Sequence, residues 1–489
     1  MLIFLLLFTI FYSIYCFTWS CFSEETGIYS EFCISNFEIL LSKNLDPVIS
    51  NDRKLFVYEK MIEEHRKRAR EVPQRPSKFY QKRPETQHVD CGRVLSSDKE
   101  YIRTLTGSSR IPLIEDPHLD MSCEALKSRI FPEHLKLKLR PLSAGVAFAR
   151  MSYMDYEFLE KQVQVSYHPQ NLFCFAVDKK APIGFQEKMR RLGECFENVI
   201  VLPATEEYDS NGHNNNLAHY RCMEASLKYP NWSYFVTQEN HDVVVKTVYE
   251  LEKIYELLGG ANDVGIDPPM EERMRSWFRF DPKSLKLFRN ESGIDPKVLE
   301  TPMRTTKSYK QGSLSRKAVE WMVRTVDVTE IINQWNQSGH GLDEQWLSTF
   351  QANSQLGMPG HFTDHCLDLG KNTDQVTRMT KWHRGSLSEC STRTIRHSIC
   401  LQGIEDLPSV ARMPNIMFNK MIPSFDYSII ECTAELLYNR TFLGQVDQKL
   451  DEEYYKNMIN VLYHKNHLDP DYRLNCTPSY KVWEYKSLW

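Results

Sequence analysis

Two adjacent carboxylates, Asp343 and Glu344, stand in the stretch "GHGLDEQWLSTF", directly before an apolar run. In that run Trp346, Leu347 and Phe350 have the spacing of one helix face, which predicts a helix that buries this face in a core. A helix N-terminus favours an acidic residue, because its unpaired backbone N–H groups and its dipole attract negative charge. We therefore interpret Asp343 as a helix cap or an orienting neighbour, and Glu344 as a candidate general base.

A third carboxylate, Asp178, ends the apolar run of "FCFAVDKKA" and is followed by two lysines. An aspartate in this place could hold a ribose or a uracil edge, with phosphates bound nearby. The alternative is an ordinary turn carboxylate at the end of a strand.

Basic residues are concentrated in "CSTRTIRHSICLQG" and "MFNKM", which contain Arg393, Arg396, His397 and Lys420. A departing diphosphate must be neutralised, either by a divalent metal or by arginine and lysine. The one D-x-D triplet, at 469–471, lies in a Pro-containing C-terminal segment, which is a poor place for a metal beside strand ends. We therefore favour the basic residues and expect no metal cofactor; the alternative is that they are solvated surface charges.

Short apolar runs alternate with helical patterns through the middle of the chain, which indicates a mostly parallel sheet with helices on its faces. Such sheets bind ligands at the carboxyl ends of their strands, which places Asp178 and the polar segment 208–216 near a site. No GxGxxG or Walker loop is present, so dinucleotide or ATP use is unsupported. The predicted strands are 144–152, 171–181, 198–204 and 234–240, and the predicted helices are 154–165, 183–196 and 217–229.

An uncharged, strongly apolar run extends from the first residue to Glu24. It reaches the roughly 18–20 residues that can span a bilayer, which predicts a signal-anchor at 1–21 of a single-pass type II membrane protein. The alternative is a signal peptide cleaved after Ser20. Both place the rest of the chain in the secretory lumen. A basic and Pro-rich segment follows, and we interpret 22–90 as a stem.

The composition also fits a secretory glycoprotein. Thirteen cysteines are scattered without a C-x-x-C pair, which favours disulfides in an oxidising lumen over a zinc site. Among the Asn-x-Ser/Thr sequons, Asn290, Asn336 and Asn439 are the glycosylation candidates. A formal net charge of −4 gives no electrostatic case for nucleic-acid binding.

Eleven motifs in order give a resemblance to a known family. The chain resembles glycosyltransferase family 14, the core 2/I-branching β-1,6-N-acetylglucosaminyltransferases and their xylosyltransferase relatives, from about Cys91 to Arg440. The motifs are "VDCGRVL", "FCFAVDKKA", "ECFENVIV", "AHYRCMEASL", "NWSYFV…D…KT", "PPMEER", "GSLSR", "LDEQWLSTFQ…PG", "KW", "C…RHSICLQG" and "FNKM".

The resemblance implies a GT-A type nucleotide-sugar transferase fold, a Rossmann-like mixed sheet flanked by helices. It also implies inverting, metal-independent transfer from a UDP-sugar, with no cofactor. Glu344 matches the family's catalytic base, Asp178 its nucleotide aspartate, and Lys420 its diphosphate lysine. The diphosphate arginine falls on Arg396 or His397, and we favour Arg396 because a guanidinium can grip phosphate oxygens bidentately.

The acceptor contacts of the family carry over less completely. Its arginine matches Arg273 and its tryptophan matches Trp382. Its glutamate slot holds Asp263, its lysine slot holds Met270 and its tyrosine slot holds Arg384. The resemblance therefore implies retained donor chemistry and a rebuilt acceptor surface.

The resemblance further implies four disulfides. Cys16, Cys21, Cys33, Cys366 and Cys476 are left over, an odd number, so at least one is free or pairs between chains. The catalytic domain is predicted to span 91–445, with a C-terminal extension at 446–489. The implied bridges are Cys91–Cys432, Cys123–Cys195, Cys174–Cys222 and Cys390–Cys400.

The leading hypothesis is a Golgi enzyme that moves N-acetylglucosamine from UDP-GlcNAc, in β-1,6 linkage, onto a glycan or glycoprotein acceptor. One alternative is a UDP-xylose-dependent protein xylosyltransferase. The other is a non-catalytic glycan-binding protein on the same scaffold. The expected partners are the donor, the acceptor and a membrane through the N-terminal segment.

Overall fold

A computed structural model of the chain describes residues 80–132, 135, 138–339, 342–373 and 375–477. The strands are β1 (Gly145–Ser152), β2 (Leu172–Val177), β3 (Val199–Leu202), β4 (Trp232–Gln238), β5 (Val243–Val244), β6 (Ser313–Ser315), β7 (Arg378–Thr380), β8 (Ile395–Arg396), β9 (Ile399–Cys400) and β10 (Met417–Asn419). The α-helices are α1 (Cys91–Leu95), α2 (Lys99–Arg103), α3 (Cys123–Ile130), α4 (Tyr156–Ser166), α5 (Ile183–Cys195), α6 (Asn215–Ser226), α7 (Val248–Leu258), α8 (Pro296–Glu300), α9 (Arg316–Arg324), α10 (Thr329–Asn336), α11 (Trp346–Ala352), α12 (His365–Asp368), α13 (Leu407–Val410), α14 (Tyr427–Phe442), α15 (Glu452–Lys456) and α16 (Ile459–Asn466).

The central sheet has five strands in the order β3-β2-β1-β4-β6. The pairs β1–β2, β1–β4 and β2–β3 are parallel, and only the edge strand β6 runs antiparallel, against β4. The four strands and three helices that the sequence predicts all form, within a few residues of their expected bounds. A mixed, parallel-rich sheet flanked by helices is confirmed, and it fits a GT-A-like fold.

The sheet separates two apolar cores, because successive side chains of a strand point to opposite faces. From β1, Val146 and Phe148 enter one core, and Ala147 and Ala149 enter the other. Helices α4, α5, α7 and α14 contribute to the first core, whereas α6, α9, α10 and α11 contribute to the second. Burial on both faces explains why the strands read as continuous apolar runs.

The helix after the paired carboxylates, α11, is buried on all sides rather than on the one predicted face. All seven residues of α11 are buried, including Ser348, Thr349 and Gln351, so the helix is not amphipathic. The Ser348 hydroxyl donates to the Thr306 carbonyl oxygen at 3.0 Å, and the Gln351 amide donates to the Asn262 carbonyl oxygen at 3.3 Å. These bonds satisfy polar groups that spacing alone assigns to solvent.

Two smaller strand pairings position basic residues. Strand β10 lies between β5 and β7, and Lys420 follows its carboxyl end. Strands β8 and β9 form a hairpin whose register pairs Arg396 with Ile399, so the turn consists of His397 and Ser398. Both turn residues have positive φ, 50° and 61°, which suits the twist of a two-residue hairpin. The hairpin therefore holds Arg396 next to its tip.

The described residues contain the four disulfides that the resemblance implies, with Cα–Cα distances of 5.1–5.7 Å. A fifth bond joins Cys366 to Cys476 at a Cα–Cα distance of 5.5 Å, and so fixes the C-terminal segment to α12. These two cysteines belong to the group left over in the sequence. The other three, Cys16, Cys21 and Cys33, lie outside the described residues.

The folded part begins earlier than the predicted stem boundary at residue 90. Tyr80 donates to the carboxylate of Glu431, a buried residue of α14, and the Arg83 N–H donates to the same carboxylate at 3.0 Å. Residues 80–90 therefore belong to the same folded unit as α14. The predicted anchor at 1–21 lies outside the described residues, and among the described ones no helix combines the length and apolar character needed to cross a bilayer.

The three sequon candidates lie in different settings. Asn290 is exposed in a loop. Asn439 is half-buried near the end of α14, and its use stays a prediction. Asn336 is half-buried too, and its amide nitrogen donates to Asn214 Oδ1 at 2.8 Å; its use also stays a prediction.

Candidate active site

A cavity of about 570 Å³ lies at the carboxyl ends of β1, β2 and β4. It brings together Asp178, Arg396 and Lys420. Asp178 and Lys420 are more than two hundred residues apart in the sequence. Part of the polar segment 208–216 lines it as well. A second cavity, of about 510 Å³, lies between α3, α4 and α14, and none of the predicted donor or acceptor residues lines it. The first cavity is therefore the candidate site.

Asp178 directly follows β2, and its backbone N–H donates to the Ser152 carbonyl oxygen at 2.9 Å, at the end of β1. Its Oδ1 accepts the Lys180 N–H at 2.9 Å. The residue is largely buried, and it lines the cavity. This fixed, inward-placed carboxylate is what binding a nucleoside hydroxyl or base edge requires.

Three basic side chains, Arg396, His397 and Lys420, line the same cavity. Partial burial lowers the pKa of His397, and the neighbouring Lys420 and Arg396 lower it further, which keeps the imidazole neutral near pH 7. Burial also lowers the pKa of Lys420, while Glu239 opposes that effect. Of the two neighbours Arg396 and His397, Arg396 is therefore the stronger candidate for a permanent positive charge.

A charged network that the sequence does not predict borders this cavity. The Lys310 ammonium contacts the carboxylate of Glu239 and lies 3.2 Å from Asp343 Oδ2. Arg378 approaches Glu239 Oε2 at 3.4 Å. Burial alone would raise the pKa of Glu239, but Lys310 and Arg378 outweigh it and hold that pKa well below its usual range. Through Lys310, the network connects the cavity to Asp343, the residue that precedes Glu344 along the chain.

Asp343 is not a helix cap. It begins a short 3-10 turn, Asp343–Gln345, and no side chain caps either this turn or α11. Its Oδ2 instead accepts from Asn215 Nδ2 at 2.9 Å. Gly212, with φ of 98°, packs so closely that an added Cβ would lie 2.5 Å from Asp343 Oδ1. Asp343 is therefore the orienting neighbour, and the capping prediction is wrong.

Glu344 keeps about a quarter of its side chain exposed, and its Oε2 lies within 4 Å of two cations. Lys307 Nζ is 3.6 Å away and Arg273 Nη1 is 3.7 Å away. Burial raises the pKa of Glu344, and Asp343 adds to this, whereas Lys307 and Arg273 oppose it. The result is an accessible carboxylate whose basicity exceeds that of an exposed glutamate, as a general base requires.

The predicted acceptor tryptophan lies on the surface. Trp382 is 40% exposed, and its ring stacks on Tyr309 with centroids 6.5 Å apart and planes 7° apart. Its indole N–H donates to the Tyr309 hydroxyl at 3.2 Å. Arg378 in turn lies 5.1 Å from the Tyr309 ring centroid. An exposed, fixed aromatic face of this kind can pack against the apolar face of a sugar.

Of the other two predicted acceptor residues, the structure places one beside Glu344 and buries the other. Arg273 lies beside Glu344, as described above. Asp263 is fully buried, and its Oδ2 accepts from the Val376 N–H at 2.9 Å, the Thr377 N–H at 2.6 Å and the Thr377 hydroxyl at 2.6 Å. A carboxylate without solvent access cannot touch an acceptor, so assigning Asp263 to the acceptor site is wrong. It is a structural residue that fixes the segment before β7.

We expect Asp263→Ala to lower the free energy of unfolding by about 3 kcal/mol, because it leaves buried donors of Val376 and Thr377 unpaired. Urea unfolding measures the change. Asp471→Ala, at an exposed aspartate, is the control and should alter stability little. A variant of unchanged stability with a raised KM for acceptor would restore the acceptor assignment.

Within the described residues, no three His, Cys, Asp or Glu side chains are grouped so that they could hold a metal ion. Metal independence stays a prediction.

A strand-end cavity with a buried aspartate and cations, next to an accessible carboxylate, is an arrangement that can bind a nucleotide sugar and deprotonate an attacking hydroxyl. The sequence model described as "Core-2/I-Branching enzyme" matches residues 146–411. The chain belongs to this family of glycosyltransferases. The matched range includes Asp178, Glu344 and Arg396, and Lys420 follows shortly after it.

Curated relatives agree with this membership. A β-1,3-galactosyl-O-glycosyl-glycoprotein β-1,6-N-acetylglucosaminyltransferase of bovine herpesvirus 4 (strain LVR140) is 24% identical over 383 residues, which cover 74% of this chain and 85% of the relative. The cattle (Bos taurus) protein of the same name, numbered 3, has the same identity and coverage. Its rat counterpart is 23% identical over 377 residues, with the same shares of both chains.

Proposed function

We propose that this chain is an inverting transferase that moves N-acetylglucosamine from UDP-GlcNAc, in β-1,6 linkage, onto a glycan hydroxyl. The observation that carries the proposal is that Glu344, an accessible carboxylate, is linked by Asp343 and Lys310 to the cavity that holds Asp178 and the basic residues. The names of the relatives supply the sugar and the linkage.

In the proposed reaction, Asp178 binds the nucleoside and the two cations Arg396 and Lys420 hold the diphosphate. The acceptor hydroxyl attacks the anomeric carbon, and its proton passes to Glu344 as the new C–O bond forms. The bond to the UDP oxygen breaks on the opposite face. Arg396 and Lys420 stabilise the charge that develops on the departing diphosphate.

One carboxylate suffices for this reaction, because a single displacement forms no covalent sugar intermediate. On the acceptor side, Trp382 offers its exposed face to a sugar ring, and Tyr309 keeps that face in place. Arg273 lies at the base and can donate to acceptor oxygens.

A donor panel tests the proposal. UDP release from the chain is measured with UDP-GlcNAc and with UDP-xylose, each with O-glycan and peptide acceptors. Acceptor-dependent release with UDP-GlcNAc and a glycan is expected. Preference for UDP-xylose and a peptide would replace it with the xylosyltransferase alternative. UDP binding without release for any pair would indicate a glycan-binding protein.

We expect transfer to persist in excess EDTA, because the charges of Arg396 and Lys420 can neutralise the departing diphosphate without a metal. Rates of UDP release with EDTA, and with added Mn²⁺ or Mg²⁺, measure this. Loss of transfer in EDTA with recovery on adding Mn²⁺ would contradict metal independence.

We also propose that the enzyme acts in the Golgi lumen, anchored by its N-terminal segment. The five disulfides support an oxidising compartment. Localisation of a tagged full chain beside Golgi and endoplasmic-reticulum markers tests this proposal.

A further inference from the structure

Lys307 is held in place by the backbone of the segments around the base. Its N–H donates to the Asp267 carbonyl oxygen at 2.9 Å, and the Asp267 N–H donates back at 2.8 Å. The next residue, Ser308, donates its N–H to the Glu344 carbonyl oxygen at 2.9 Å. The lysine and the base are therefore anchored to each other through main-chain bonds, independently of their side-chain charges.

The Lys307 side chain reaches the base along Met270. Its Nζ lies 3.7 Å from Met270 Sδ and 3.6 Å from Glu344 Oε2, and a quarter of the side chain stays exposed. Arg273 approaches the same Oε2 from another chain segment. Two cations within 4 Å of one oxygen attract the carboxylate charge to that side, which leaves the other oxygen to take a proton.

We propose that Lys307 is a positioning residue for the transfer reaction, which orients the Glu344 carboxylate and donates to an oxygen of the acceptor beside the reacting hydroxyl. This rests on the proposed function. It deepens that function by assigning an acceptor-side cation to the segment before β6. Met270, which stands in the family's lysine slot and whose Sδ lies 3.7 Å from Lys307 Nζ, carries no charge.

The physical need for such a cation follows from burial. Burial favours the protonated form of Glu344, and a protonated carboxyl cannot accept the acceptor's proton. Lys307 favours the ionised form, because an opposite charge at this distance stabilises it. Removing the lysine therefore raises the pKa of the base, and a larger part of the enzyme is inactive at mildly acidic pH.

The test is the pH profile of kcat/KM for Lys307→Met, a change that keeps the side-chain bulk and removes the charge. We expect transfer at neutral pH to fall at least tenfold and the acid limb to move upward by about one pH unit. Lys307→Arg should keep the acid limb near its wild-type position. Lys283→Met, at an exposed lysine paired with Glu300 rather than with the base, should match the wild type.

A double variant, Lys307→Met with Met270→Lys, returns an ammonium to the same place from the neighbouring side chain. It should recover part of the lost transfer and shift the acid limb back. UDP binding and melting temperature verify that each variant is folded. If Lys307→Met fails to fold, Lys307→Gln is measured in its place.

An acid limb that stays in place in a folded, slower variant would overturn the inference and leave a structural role. An unchanged rate would overturn it as well. Wild-type transfer is established first, so its absence would count against the proposed function, whereas an unmoved profile in an active variant counts against the role of Lys307 alone.

Discussion

Replacing Glu344 with glutamine is expected to lower kcat by about a thousandfold, with little change in UDP binding. Glutamine keeps the shape of the side chain but cannot take the proton of the attacking hydroxyl. That hydroxyl is far too weak an acid to ionise unaided at neutral pH. Steady-state transfer rates, together with UDP affinity from calorimetry, separate loss of the base from loss of the donor site.

Glu300→Gln is the matched control, because Glu300 is an exposed glutamate at the end of α8, paired with a surface lysine. It should retain wild-type transfer and stability. A Glu344→Gln enzyme with more than a tenth of the wild-type kcat would show that another group accepts the proton. Asp343 would then be the first residue to test, since it adjoins Glu344 and is held by Lys310.

Replacing Lys420 with methionine is expected to lower kcat/KM for the UDP-sugar by roughly 30- to 1000-fold. This corresponds to the loss of about 2–4 kcal/mol of stabilisation of the developing diphosphate charge. UDP affinity should fall as well, while KM for the acceptor should change little. Transfer kinetics with varied donor and fixed acceptor measure the effect.

The neighbouring hairpin provides the comparison set for this prediction. Arg396→Gln should cause a loss of the same order, and His397→Ala a much smaller one, because a neutral imidazole adds little to a diphosphate site. Arg393→Gln, at an exposed arginine that does not line the cavity, is the control. A larger loss in His397→Ala than in Arg396→Gln would reverse the assignment between the two residues.

The central sheet could be predicted from the sequence because its strands are buried on both faces. Apolar runs such as 144–149 and 172–177 have no polar alternation, which is typical of parallel strands between helical layers. Asp178 could be located for the same reason, since it is the first polar residue after such a run. Lys420 and Glu344 depended on matching motifs, because their local patterns also fit surface charges and caps.

The charges around the base could not be predicted, because tertiary packing alone brings them there. Lys307 and Lys310 precede β6 in a segment with no distinctive periodicity, and Arg378 lies in a three-residue strand. Asp263 was misassigned for a related reason. Its place in a motif reveals its position along the chain, but not that the segment at 376–377 encloses its carboxylate.

The boundaries were also hard to predict. Residues 80–90 follow a Pro-rich, basic stretch, and the buried Glu431 that binds them lies about 350 residues further along the chain. The Cys366–Cys476 bond spans 110 residues, with no nearby motif to indicate the pairing. Long-range contacts of this kind leave no local signal.

The anomeric configuration of the first product tests the central claim most directly. The transfer reaction is followed by proton NMR from its start, with UDP-GlcNAc and the acceptor that the donor panel identifies. The coupling constant of the new anomeric proton gives the configuration. A single displacement assisted by Glu344 predicts a β-linked product from the first turnover. An α-linked first product would contradict the account, since retention requires a second displacement or a different geometry of attack.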